Sequence, residues 1–264
     1  MNRPVTEMGR VDRAVRDGVG TITFSHPKSN ALPGQLLREL ASAINALGDD
    51  DAVLAIVLQS AGERAFCAGA SFDELLAIED FATGKAFFMG FAHVINALRQ
   101  CPKFVIGRIQ GKAVGGGVGL AAAVDHALAT DAADIKLSEL AIGIGPFVVG
   151  PAVERKIGRS GLAALAIDAT AWKSAAWAEA RGLYTKTYPD IDALDAAVST
   201  LAHQLAHSSP AAMRAIKRML WADTEHWDTL FDQRAAVSGR LVLSEFTVNA
   251  IREFKARGNS TSHR

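Results

Sequence analysis

The stretch from Lys103 to Asp125, KFVIGRIQGKAVGGGVGLAAAVD, constrains the fold more than any other. A β-type run, Lys103 to Ile109, feeds a glycine-rich turn at Gly115, Gly116 and Gly117. An alanine- and leucine-rich run with the look of a buried helix follows. Glycine lets the backbone take positive φ and come close to a ligand. The first amides of a helix lack internal partners and lie at the positive end of its dipole. Such a turn can hold a negatively charged oxygen, and it can equally be a tight connection with no ligand.

The flanking segments extend the pattern. Gly18 to Pro27 alternates and reads as a strand ended by proline. Gln35 to Leu47 places Leu36, Leu37, Leu40, Ile44 and Leu47 at helical spacing. Val53 to Gln59 is continuously apolar, as expected of a strand covered on both faces. Phe81 to Arg99 is a second amphipathic helix, and His126–Thr130 and Asp134–Leu137 are short strands. A repeated strand, loop and helix predicts α/β architecture with right-handed crossovers.

From Pro151 onward the chain reads as mostly helical, in pieces at Pro151–Ile157, Leu162–Ile167 and Ser174–Arg181. Ser209 followed by Pro210 is a helix start. The helix after it carries Met213, Ile216, Met219 and Leu220 on one stripe. Trp227–Leu243 and Glu245–Arg257 finish the protein, the latter with Phe246 and Phe254 along one side. Methionine and aromatic positions at helical spacing are assigned to the core, and so apolar a C-terminal region packs on the body or on another subunit.

Lys+Arg and Asp+Glu both number 28, so the net charge is zero, which argues against nucleic acid or an anionic membrane as main partner. The start, MNRPVTEMGRVDRAV, has no apolar core of the signal-peptide kind. No run reaches the roughly 18 apolar residues of a membrane helix. The two cysteines, Cys67 and Cys101, form no metal-binding or disulfide spacing, which fits a reducing, cytoplasmic setting.

Two loops follow strands, Ala65–Glu74 and Gly111–Gly119, and both can offer bare backbone N–H groups. Ligands of parallel α/β sheets gather at such strand ends, and two amides aimed at one point make an oxyanion hole. Neither loop carries a nucleotide-phosphate motif. Glu139 sits among Leu137, Leu140, Ala141, Ile142 and Ile144. A carboxylate there is desolvated, which raises its pKa toward acid–base range; a helix-capping or ion-paired glutamate suits the position equally. Asp125 reads as architectural, the histidines are scattered, and Cys67 has no nearby base to make it a nucleophile.

Six segments, in order, make the chain resemble the crotonase superfamily, the enoyl-CoA hydratases and isomerases. They are HPKSNAL, AFCAGASFDE, VIGRIQGKAVGGGVGLAAAVD, LSELAIGIGP, Ser209–Pro210 with AIKRML, and SEFTVNAIREFKARG. The resemblance implies a crotonase-like α/β core of stacked ββα units over residues 1–200, holding CoA and the active site. It implies a helical oligomerisation region over 201–264, assembling a homotrimer or a hexamer. It further implies an acyl-CoA substrate, coenzyme A entering as part of that substrate with no separate cofactor or metal. The enolate oxygen of the thioester is expected on the amides of Ala70 and Gly116, with Glu139 moving the proton. CoA is expected along Lys28, Ser29 and Ala68, with Phe254 and Arg257 at its adenosine phosphate; Phe72, Gly119, Pro146 and Phe147 are expected around the acyl group.

Two departures bear on the reaction. Hydratases of this superfamily carry a first glutamate where this chain has Gly119, and a glycine where it has Phe147. One base in a dry pocket suits moving a proton between carbons. The expectation is therefore an enoyl-CoA isomerase, with a hydratase/dehydratase of methylglutaconyl-CoA type, a decarboxylase and a non-catalytic acyl-CoA binder as alternatives.

Overall fold

The computed structural model describes residues 9–261, with side chains described as far as Glu253. Six strands form the main sheet in the order β1 (Arg10–Arg16), β2 (Val19–Ser25), β3 (Ala55–Ser60), β5 (Phe104–Ile109), β7 (His126–Thr130), β9 (Lys186–Tyr188). β1 and β2 are antiparallel and the other neighbours are parallel. Three short strands, β4 (Ala65–Cys67), β6 (Lys112–Val114) and β8 (Ile135–Lys136), form a second, parallel sheet. Each of β3, β5 and β7 thus continues into a short strand of the second sheet. A helical segment then leads back, so the expected ββα unit is what repeats.

The continuous apolar run of β3 has its predicted cause. On one face of the sheet Ile22, Ile56, Leu58 and Val105 enter the main core, beneath α1 (Gly34–Asp49) and α3 (Phe81–Gln100). On the other face Val57, Ile106 and Leu128 pack against Leu194, Val198 and Ala202 of α7 (Ile191–Ala206). Between them lie α2 (Phe72–Leu76), α4 (Gly116–Ala123), α5 (Gly150–Ile167) and α6 (Ala175–Ala180). The chain closes with α8 (Pro210–Leu220), α9 (Trp227–Leu241) and α10 (Glu245–Thr261). Among the described residues no helix is long and apolar enough to cross a membrane.

Several elements differ from the sequence expectation. β1, β4, β6 and β9 were not anticipated. Five consecutive residues of β1 are exposed, so it carries no burial period, and its hydrogen-bonded partner alone defines it. The pieces Pro151–Ile157 and Leu162–Ile167 are one helical run broken at Gly158, whose backbone (φ 71°, ψ 169°) leaves the helix. The stripe of α8 is turned outward: Met213 is buried, but Ile216, Met219 and Leu220 are exposed, Met219 by 68%, and so is Phe246 on α10. Core assignment by spacing fails there because the buried anchor of α8 is a cation. Lys217 donates to Asp125 Oδ2 and to the Lys103 carbonyl, both at 2.8 Å. Asp125 also accepts from Trp221 Nε1 and from the Val105 amide, each at 2.8 Å. Its architectural reading holds: it clamps α8 to the sheet.

Candidate active site

The two glycine-bearing loops meet at the ends of β4 and β6. Gly69 has φ 85°, and a β-carbon there would stand 2.7 Å from the Val114 carbonyl oxygen and 3.3 Å from the Gly116 nitrogen. Only glycine permits both the dihedral and the approach. The loop is fixed by hydrogen bonds of Ala70's neighbours. Leu32 N–H donates to Gly69 O at 2.8 Å, and Gly69 N–H reaches Cys67 Sγ at 3.4 Å. None of these uses the Ala70 N–H. Gly116 is the first residue of α4, so its N–H has no acceptor within the helix. The turn before it is set by Gly115 (φ 53°, ψ −116°), whose N–H donates to Lys136 O at 2.8 Å. Gly116 itself rests on Phe91, where a β-carbon would stand 2.1 Å from the ring.

Ala70 and Gly116 border a cavity of about 60 Å³ together with Glu139. Ala68, Phe72, Pro146 and Phe147 line it too. Leu75, Phe88, Phe91, Ile142, Ile144 and Val149 complete its apolar wall. Glu139 is the one ionisable side chain among the described lining residues.

Glu139 follows β8, at the start of a 3₁₀ turn over Leu140–Ile142. Its carbonyl accepts from Ile142 and Ile144 N–H at 3.2 and 3.0 Å, which fixes the backbone. Its side chain caps no helix, and its Oε2 is buried without a hydrogen-bond partner among the described residues. Neither of the structural roles open from sequence, cap or ion pair, is what this carboxyl does. Oε1 lies against Gly115, 3.0 Å from where a β-carbon would be. Burial among apolar side chains pushes its pKa up to about 7, which lets it both take and return a proton near neutrality.

The other expected site residues are placed differently. Lys28 and Ser29 do not line the cavity. Lys28 is ion-paired with Asp73 at the surface, and the Ser29 carbonyl accepts from Ala68 N–H at 3.0 Å, joining the HPKSNAL turn to the first loop. Gly119 does not line it either. A β-carbon at Gly119 would stand 2.4 Å from Val149 Cγ1, so Val149 fills the room a side chain there would need. Phe254 and Arg257 fall outside the residues whose side chains are described. Cys67 is buried, and burial pushes its thiol up to about 12, which agrees with its dismissal as a nucleophile.

Sequence reasoning passed over Asn30. Its side-chain amide donates to the carbonyls of Ala61 and Ala65, each at 2.9 Å, and its Oδ1 accepts from His26 N–H at 3.0 Å. It takes a left-handed backbone (φ 56°) inside HPKSNAL, and its place between a proline and a glycine was the available signal. Asn30 ties the first turn to the strand that leads into Ala70.

Comparison with known proteins gives the family. The enoyl-CoA hydratase/isomerase family model matches residues 14–253, and the chain belongs to that family, whose members act on acyl-CoA thioesters. A "probable enoyl-CoA hydratase" of Rhizobium meliloti is 34% identical over 201 residues, 75% of this chain and 76% of the relative. The carnitinyl-CoA dehydratase of Proteus mirabilis is 30% identical over 219 residues, 80% of this chain and 79% of the relative. The crystal structure of an enoyl-CoA hydratase from Mycobacterium avium superposes with a TM-score of 0.83 at 27% identity, covering 94% of this chain and 96% of that one. The fold is therefore the mixed α/β fold of the crotonases.

Proposed function

We propose that this protein is an enoyl-CoA isomerase in which Glu139 is the sole proton carrier. The observation that carries the reading is the cavity's composition: one ionisable side chain, with an unpartnered buried oxygen, in an otherwise apolar wall. Val149 occupies the room that an acid at position 119 would need, which supports a site built around one carboxyl.

In this reading the thioester oxygen of a 3-enoyl-CoA accepts from the Ala70 and Gly116 N–H groups. The Glu139 carboxylate removes a proton from C2, and the electron pair moves through the carbonyl to give a dienolate. Glu139 then returns the proton at C4, leaving the double bond between C2 and C3. Each amide is worth about 3 kcal/mol of barrier when aimed at developing charge in a dry site. Because the base must start ionised, kcat/KM rises with pH through a midpoint near 7.

CoA runs along Lys28, Ser29 and Ala68, and Phe254 and Arg257 serve the phosphate end. Residues 201–264 act as the assembly region of a trimer or hexamer, a role supported by exposed Ile216, Met219 and Phe246.

A hydratase/dehydratase reading is favoured by the names of the relatives. The test is a spectroscopic assay for conjugated thioester, with 2-enoyl-CoA and 3-enoyl-CoA supplied separately. Conjugation gained from the 3-enoyl substrate alone is the expected result. Conjugation lost from the 2-enoyl substrate, with a hydroxyacyl product, makes the enzyme a hydratase and overturns the isomerase assignment.

A further inference from the structure

Resting on that reading of the site, we infer that the acyl group it accepts is short and uncharged, and that a second carboxylate on the acyl chain is excluded. Two observations carry this. The first is size. An apolar cavity of about 150 Å³ admits benzene, so on that scale one of about 60 Å³ admits about two or three carbons beyond the thioester carbonyl.

The second is charge. Among the described residues no lysine, arginine or histidine lines the cavity, and Lys28, in the turn that supports the first loop, is ion-paired with Asp73 at the surface. Among the described residues a substrate carboxylate would be buried with Glu139 as its only charged neighbour, and of like sign. A buried charge without a counter-ion is strongly disfavoured. The wall also lacks polar side chains to substitute for water. Apart from Ser138 and Glu139, every lining side chain is apolar or the residue is glycine.

Phe147 is one of the bulky side chains that line the cavity. Its ring packs on Gly145, where a β-carbon would stand 2.5 Å from Cε2. It is only half-buried, so its removal opens the cavity without emptying the core.

The experiment compares kcat/KM for matched 3-enoyl-CoA substrates. One pair differs only by a terminal methyl in place of a terminal carboxylate, and one series lengthens the neutral chain from four to ten carbons. The carboxylated substrate is expected to be at least about 100-fold poorer than its neutral partner, since an unpaired buried charge is costlier than that. Activity is expected to fall along the series, and Phe147→Ala to restore the longer members by at least about tenfold. Equal rates for the charged and neutral partners, or a flat chain-length profile, overturn the inference while leaving the isomerase intact. Binding of butyryl-CoA and succinyl-CoA, measured by calorimetry, reads the same discrimination without turnover. Weaker succinyl-CoA binding with no isomerisation of any substrate would overturn the assigned reaction and keep the charge exclusion; equal affinities would overturn the exclusion.

Discussion

Asp125 and Glu139 are both buried carboxylates in the second half of the α/β body, and their surroundings are opposite. Asp125 accepts from an ammonium, an indole N–H and a backbone amide, and Lys156 donates to its carbonyl. Glu139 has an oxygen with no partner among the described residues, beside the bare amide loops. A carboxylate whose hydrogen bonds are filled holds elements together. One left unfilled is free for a proton, and the fold carries the cost of keeping it dry. The chain thus devotes one acid to holding α8 on the sheet and leaves the other unsatisfied at the cavity.

The contrast breaks if the two acids respond alike to mutation. Glu139→Gln is expected to lower turnover about 10²- to 10⁴-fold, the usual worth of a positioned acid–base group, with CoA-ligand binding kept. The same variant is expected to be more stable than the parent. The carboxyl has an ordinary value of 4.5 and a folded value of about 7. Between those pH values the unfolded chain releases a proton that the folded chain keeps, so stability falls as pH rises. The loss reaches about 3 kcal/mol above pH 7 and vanishes below pH 4.5. Denaturant titration at pH 4.5 and pH 8 checks this; a variant equal to the parent at both would show that the carboxyl carries no burial cost.

Lys217→Ala should do the reverse. It strips the counter-ion from Asp125, whose side chain is 4% exposed, and is expected to cost about 3–5 kcal/mol. The folded fraction should keep its kcat, which separates a stability defect from a catalytic one. A substitution that halves kcat without lowering the denaturation midpoint would erase the distinction between the two acids.

A smaller effect comes from the cavity wall. Gly119→Glu drives a side chain into Val149 and is expected to cost about 1–3 kcal/mol. Adding Val149→Gly should relieve most of that cost, and coupling between the two sites is the quantity to measure. Additive effects would mean that the two positions do not compete for one space. Smallest is Ser209→Ala, which removes the hydroxyl that caps α8 through the Ala212 amide and should cost about 1 kcal/mol.

Much of this was legible in the sequence, and the rest was hidden for identifiable reasons. β3 announced itself because a strand buried on both faces is continuously apolar. The two glycine-bearing loops were legible because Gly69 and Gly115 hold dihedrals that other residues rarely adopt. The desolvation of Glu139 followed from its apolar neighbours. β1 was not legible because backbone pairing with β2, rather than side-chain burial, makes it a strand. β4, β6 and β9 are three residues long, too short for a period to show. The apolar stripe of α8 misled because its buried anchor, Lys217, is conceivable only once Asp125, remote in sequence, is known to face it. The crowding of Gly119 by Val149 was invisible for the same reason: it joins α4 to the segment before α5.

That crowding also imposes an order on change. Starting from this chain, an acid can enter position 119 without collision only after residue 149 has shrunk. The opposite order passes through an overpacked protein. Shrinking residue 149 first costs a cavity, which folded proteins tolerate more readily when neighbours can relax into it. A second carboxyl at position 119 therefore does not arise in this chain by a single step without overpacking. The path to it leads through a loosened protein in which Glu139 is still the one acid among the described lining residues, so the order of the two mutations matters as much as their identity.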